Sequence, residues 1–246
     1  TVGDFKAENP VKAFYNDKCK LHLLFPSIIN GGVIDKNAPL DVCRSREEDT
    51  FFNSWDKIKH NLILNWVDNT DEEAQNGISL FSDHTTSYLH GKDYPLGLTV
   101  QYSGIGLWGR DYKIAEPTVI HYAILPHAGD WRAADIPQYS ICWNEPLHTL
   151  NVSNVRKASE SLFEFSRQGY EIMACYMDGN DICLRVANTG IGNEAAELQI
   201  RGSYECLQWV ELDGSSTGVV KVDNKIQLSI PPFGFKTLYI RNLCIK

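Results

Sequence analysis

Apolar and polar residues alternate with a period of two along much of this chain, the pattern of strands whose two faces meet different surroundings. Leu96, Leu98, Val100 and Tyr102 interleave with Gly97, Thr99 and Gln101. Ile226, Leu228 and Ile230 alternate until Pro231-Pro232 stops the run, and residues 235–240 resume it. Residues 182–187, 196–200 and 206–212 read as further short strands. Residues 119–125 are almost continuously apolar, which predicts a strand covered on both faces. Asn30-Gly31-Gly32, Asn76-Gly77, Asp178-Gly179 and Asp213-Gly214 read as turns. The best helical segment is 154–168, where Val155, Leu162, Phe163 and Phe165 sit in a polar stretch. Regular short strands with few helices predict an all-β fold of stacked antiparallel β-sandwich modules. The chain turns polar and serine-rich between Pro146 and Gly169. That shift places a larger module over 1–155, a linker or short helix over 156–169, and a smaller module over 170–246.

The 246 residues suffice for one large domain or two small ones with a buried core. A hydrophobic fraction of 43% with 22% charged residues excludes disorder. No apolar run approaches the roughly 18 residues that cross a bilayer, so no membrane partner is expected. A net charge of -8 without clustered Lys and Arg argues against a nucleic-acid partner. None of the seven cysteines forms a C-x-x-C pair. Their odd count points to mostly free thiols in a reducing compartment, hence a cytoplasmic protein. The chain opens at Thr1 without a targeting pattern and reads as a fragment with a natural C-terminus.

Chemistry concentrates in Phe81-Ser82-Asp83-His84-Thr85-Thr86-Ser87-Tyr88-Leu89-His90-Gly91 and in the loop carrying Trp108, Gly109, Arg110 and Asp111. Rings suit the apolar faces of sugars, and charged groups suit bidentate hydrogen bonds to hydroxyls. Asp83, His84, Tyr88, His90, Trp108, Arg110 and Asp111 are therefore candidate contacts to carbohydrate or to another domain. A buried, self-satisfied polar loop explains the first span equally well.

Other patterns lead nowhere. Gly104-Ile105-Gly106-Leu107-Trp108-Gly109 matches G-x-G-x-x-G, but no amphipathic helix follows it. His84, His90, His121 and His127 lack helical ligand spacing, so no metal is assigned within the chain. No G-x-S-x-G elbow appears. Asp83, Asp111, Asp130 and Glu145 could serve glycosidic chemistry, yet nothing in the sequence pairs them. Asp130-Trp131-Arg132 and Trp143-Asn144-Glu145-Pro146 read as polar-aromatic loops that line a cleft or, more commonly, cap a strand end.

Several segments taken together resemble a known family. Asn65-Trp66-Val67-Asp68, Gly77-Ile78-Ser79-Leu80-Phe81-Ser82-Asp83 with its His-Thr-Thr-Ser-Tyr-Leu-His-Gly continuation, and Ile120-His121-Tyr122-Ala123-Ile124-Leu125-Pro126-His127-Ala128-Gly129-Asp130-Trp131 resemble the C-terminal β-sandwich region of family 38 glycoside hydrolases, the α-mannosidases. The closing run from Ile230-Pro231-Pro232-Phe233-Gly234 through Ile240 is similar to that family's final strand pair. The resemblance implies a retaining, zinc-dependent parent hydrolase whose nucleophile and zinc ligands belong to an N-terminal catalytic domain absent from this chain. It implies that the fragment is inactive alone, packs on that domain as its partner, and lines one wall of the sugar cleft. An independent carbohydrate-binding module and a purely structural scaffold are the competing expectations.

Overall fold

The computed structural model describes residues 20–29, 32–46, 62–91, 94–101, 116–145, 147–151, 153, 160–190, 192–220 and 225–245. The protein is all-β, with antiparallel sheets and one helix among the described residues. The chain divides into two compact units, Thr1–Leu147 and His148–Lys246. No helix among the described residues is long and apolar enough to cross a membrane.

In the first unit, β1 (Leu21–Phe25), β8 (Tyr94–Gln101), β7 (Thr86–Gly91) and β4 (Leu62–Ile63) form one sheet in that spatial order. β3 (Asp41–Arg46), β2 (Val33–Ala38), β5 (Trp66–Thr70), β6 (Asn76–Ser82) and β9 (Tyr122–Ala128) form the other. Phe25, Ile63, Tyr88, Leu96 and Leu98 from the first sheet meet Ile34, Val67 and Leu80 from the second, closing a sandwich core. Each such aliphatic side chain contributes about 1.5–3 kcal/mol on burial.

The second sheet is covered on its outer face as well. There Trp66 and Phe81 pack with Trp131 and Ile136, the Trp66 and Trp131 rings 5.7 Å apart. Ile136 opens the helix α1 (Ile136–Asn144), whose buried residues are Ile136 and Ser140, and Trp143 reaches Phe81 from the same side. The sequence reading placed a polar-aromatic loop at Trp143-Asn144 and missed this helix. It is only nine residues long, Asp135 supplies no side-chain cap, and a serine occupies a buried position, so its apolar stripe is faint. Pro137 is tolerated because it lies in the first turn, where a backbone N–H has no helical partner.

Strand β9 differs from expectation in place and environment. It begins at Tyr122, runs through Pro126, and lies at the sheet edge with only β6 beside it. Tyr122 and Ile124 are each 42% exposed, so the strand is not covered on both faces. An edge is where a proline can sit in a strand, because its missing N–H deprives no neighbour.

Asn76-Gly77 is likewise not a turn. The turn is the preceding 71–75, where the Asp71 carboxylate accepts from the backbone N–H of Gln75 (2.7 Å) and Asn76 (3.0 Å). Gly77 lies inside β6 opposite His127, and a Cβ built on it would meet the imidazole at 2.1 Å. The glycine is there to let the ring lie on the strand. Asn30 and Gly31 lie outside the described residues.

The second unit is a smaller sandwich. β11 (Tyr170–Asp178), β12 (Asp181–Asn188), β17 (Phe235–Arg241), β14 (Cys206–Val210) and β15 (Ser216–Val220) make one sheet. β10 (Phe163–Phe165), β13 (Ala196–Ile200) and β16 (Lys225–Leu228) make the other. Leu184, Leu207, Leu238 and Ile240 meet Leu198, Ile226 and Leu228 in its core. The helical expectation for 154–168 fails over 163–165. Phe163 and Phe165 alternate around Glu164 with a period of two, and β10 pairs with β13. Residues 154–159 lie outside the described residues. Asp178-Gly179 and Asp213-Gly214 are turns as read, with Gly179 at φ 64° and Gly214 at φ 83°. Six cysteines lie among the described residues and all are free thiols.

Candidate functional site

Three of the segments singled out in the sequence converge on neighbouring strands of one sheet: 65–68 enters β5, 77–83 follows β6, and 120–131 includes β9. Their polar residues meet at both ends of the β6–β9 ladder, about 20 Å apart at some 3.3 Å per strand residue.

At one end the ladder closes with Ser82 opposite Tyr122, and Asp83 and His121 form the next rung, the Asp83 N–H donating to the His121 carbonyl at 3.3 Å. The Asp83 carboxylate joins two imidazoles. Oδ1 is 2.6 Å from His84 Nδ1, and Oδ2 is 2.8 Å from His121 Nδ1. The backbone N–H of His121 donates to the same Oδ2 at 3.2 Å. Ser82 holds the turn by donating its hydroxyl to the His84 carbonyl at 2.9 Å. The hydrogen bond from His84 lowers the Asp83 carboxyl to about 2, burial opposes it, and the two hydrogen bonds from His121 add to the lowering.

The chemistry follows from which nitrogen is engaged. With Nδ1–H donating to the carboxylate, each neutral ring carries its lone pair on Nε2. His84 is 41% exposed and His121 71%, so the pair offers acceptors to a ligand hydroxyl. Among the described residues, no group of three or more His, Cys, Asp or Glu side chains is arranged to hold a metal ion.

The other candidate residues do not join this cluster. Tyr88 is 1% exposed within the sandwich core, with Lys36 Nζ 5.8 Å from its ring centre. His90 is buried on the same strand. Thr86 Oγ1 donates to the Thr99 carbonyl (2.7 Å) and Ser87 Oγ to Thr99 Oγ1 (2.6 Å), so both hydroxyls are satisfied across the sheet. Much of the 81–91 span is thus a self-satisfied buried segment, and Asp83 and His84 are its open end. Trp108, Arg110 and Asp111 lie outside the described residues. Asp130 caps its own turn, accepting from the backbone N–H of Arg132 (3.1 Å) and Ala133 (3.0 Å), while Trp131 is buried. Glu145 ends α1.

At the opposite end lies a cluster that sequence reasoning did not find. Asp68 is fully buried between Ser79 and Thr70, whose hydroxyls donate to its two oxygens at 2.6 Å each. His127 Nε2 sits 2.7 Å from Asp68 Oδ1 and 3.2 Å from Ser79 Oγ. Burial disfavours the charged imidazole, but the Asp68 hydrogen bond and charge outweigh it and raise the His127 pKa above its ordinary value. Serine, histidine and aspartate are present, yet Ser79 gives its proton to the carboxylate and is inaccessible, so no nucleophile is poised. The cluster fastens β5, β6 and β9 together. Only the strand register, with Asp68 opposite Ser79 and Gly77 opposite His127, brings it into view.

No family model matches the sequence, and no curated protein matches it either. Among solved structures, the fold is similar to a protein in the glycosyl hydrolase family 38 from Enterococcus faecalis, with a TM-score of 0.62 at 15% sequence identity. The match covers 90% of this chain and 26% of that one, so the chain spans about a quarter of that protein and shares with it the fold of one region.

Proposed function

We propose that this chain is a non-catalytic β-sandwich region of a glycoside hydrolase of the α-mannosidase type. In this reading the parent hydrolyses α-mannosides with retention, and its catalytic domain, zinc included, is a separate part of the protein. The chain packs on that domain and presents Asp83, His84 and His121 to the sugar. The observation that carries the reading is the fold likeness over 90% of the chain to one region of a family 38 protein. The exposed two-imidazole cluster supports the cleft-lining role, since a carboxylate that fixes both rings leaves their Nε2 atoms directed to accept hydroxyl protons.

The test uses the parent enzyme with an aryl α-mannoside. His84→Gln and His121→Gln should each reduce kcat/KM by about tenfold, as expected for a lost substrate hydrogen bond, in an enzyme that remains folded. The 246-residue chain alone should show no hydrolysis. A purely structural scaffold is the second reading, favoured by the burial of Tyr88 and His90. Unchanged kinetics in both histidine variants would select it.

A further inference from the structure

In the second unit, β14 and β17 separate before β17 begins. Their pairing stops at Val210 opposite Thr237, while β17 continues back to Phe235, paired there only with Ala187 of β12. On the other side, Glu211 turns away into the β14–β15 hairpin, its N–H donating to the Ser215 carbonyl at 2.9 Å. The separation leaves a cavity of about 370 Å3. Ligand sites for small molecules begin at about 300 Å3. Its lining includes Trp209, Glu211, Thr217, Phe235, Lys236 and Thr237. Trp209 is half-buried against the core of the second unit with Lys236 Nζ 5.5 Å from its ring centre, and Phe235 is half-buried with the Arg185 guanidinium carbon 5.6 Å from its ring centre. Thr237 is buried, its hydroxyl accepting from Arg185 Nε at 3.2 Å.

We infer that this notch is a binding site for one pyranose ring of a glycan, distinct from the Asp83 cluster. The Trp209 ring, on the same face of the sheet as Lys236, offers contact to the apolar C–H face of a sugar, and Phe235 bounds the notch from the other face. The Glu211 carboxylate accepts from a pair of its hydroxyls and Lys236 donates to another, while Thr217 Oγ1, whose proton goes to the Trp209 carbonyl at 3.2 Å, accepts. An aliphatic or aromatic ligand would leave Glu211 and Lys236 unused, and an anion would meet the carboxylate. The choice of a sugar over another polyol rests on the glycoside hydrolase reading, whereas the site itself rests on the notch.

Saturation-transfer NMR on the full 246-residue chain tests it with methyl α-mannoside, methyl α-glucoside and methyl β-galactoside. At least one should bind at millimolar concentration, with the Trp209 fluorescence changing on titration. Glu211→Gln, an exposed position, should weaken that binding about tenfold while the chain stays folded. Glu72→Gln, an exposed turn position in the first unit, should leave it unchanged. Binding that Glu211→Gln does not alter, or no binding of any of the three by the folded chain, overturns the site. Either outcome is independent of the histidine variants in the parent enzyme, which test the cleft-lining role alone.

Discussion

Asp68 Oδ1 lies 2.7 Å from His127 Nε2 in the covered outer layer of the first unit's larger sheet, with the carboxylate fully buried and the His127 side chain 6% exposed. A buried carboxylate with three donors is stable only while the donors remain. Asp68→Asn replaces one acceptor oxygen by a donor facing a hydroxyl, and should destabilise the first unit by about 3–5 kcal/mol in urea denaturation. The pair also makes stability depend on pH. The folded pKa of His127 is raised above its ordinary 6.5, so its contribution is complete below that value and is lost as pH rises through the folded value. The stability difference between the native protein and His127→Gln should therefore shrink between pH 6 and pH 8 (roughly the window in which imidazole titrates). A difference that grows over this range would contradict the assigned pair.

Gly77 and His127 are coupled by space. A methyl group at Gly77 would lie 2.1 Å from His127 Cε1, so the ring must leave its place and with it Asp68. Gly77→Ala should destabilise by about 3 kcal/mol or more, at the scale of a broken buried pair. Once the ring has been removed the methyl has room. Gly77→Ala in a His127→Ala background should then be much less harmful than in the native protein, a non-additivity of about 1–3 kcal/mol in a double-mutant cycle.

Asp83 provides a site-specific titration. Its carboxyl is lowered to about 2, chiefly by the His84 hydrogen bond and then by those from His121. For a depressed carboxylate the contribution to stability is present above the ordinary value of 3.8 and disappears as pH falls through about 2. Carboxyl 13C shifts should give a midpoint near 2 for Asp83, and His84→Gln should return it toward 3.8. A native midpoint at the ordinary value would mean that the carboxylate does not hold the rings in solution.

Legibility in the sequence followed periodicity and failed where tertiary context decides. The alternation of Leu96, Leu98 and of Ile226, Leu228 is local, and both runs are strands with those residues buried. Pro126 and Gly77 carry local signals for a strand end and a turn, and both were overridden: one by an edge position, the other by a ring stacked on it. The Asp68–Ser79–His127 cluster spans residues 59 apart and depends on register, which no single strand encodes. Asp83 and His84 were visible as neighbours, but His121, their third member, arrives from the next strand of the ladder. Tyr88 looked like a surface ring because its neighbours are polar, whereas their hydroxyls are spent on Thr99 and the ring faces the core.

Asn188 connects the end of β12 to the turn that launches β17. Its side chain is 2% exposed and donates from Nδ2 to the carbonyls of Gly192 and Ile230, both at 2.9 Å, while Oδ1 accepts from the Gly190 N–H at 3.0 Å. Its backbone completes the clamp. The carbonyl accepts from Phe233 N–H at 2.8 Å, and the N–H donates to the Gly234 carbonyl at 3.0 Å. Phe233 is held at φ 58°, a left-handed conformation unfavourable for a bulky residue, and the clamp helps keep it there. Asn188→Ala strips the buried Ile230 carbonyl of its donor at about 1–3 kcal/mol, whereas the exposed Gly192 carbonyl can turn to water, so the second unit should lose about 1–3 kcal/mol. Asn188→Asp should be at least as damaging, because it turns a two-carbonyl donor into a buried charge facing them. Phe233→Gly relieves the left-handed strain without touching the side-chain bonds, and should raise the thermal midpoint or leave it unchanged. A large loss in Phe233→Gly with little in Asn188→Ala would show that the phenyl ring, not the amide, holds the turn.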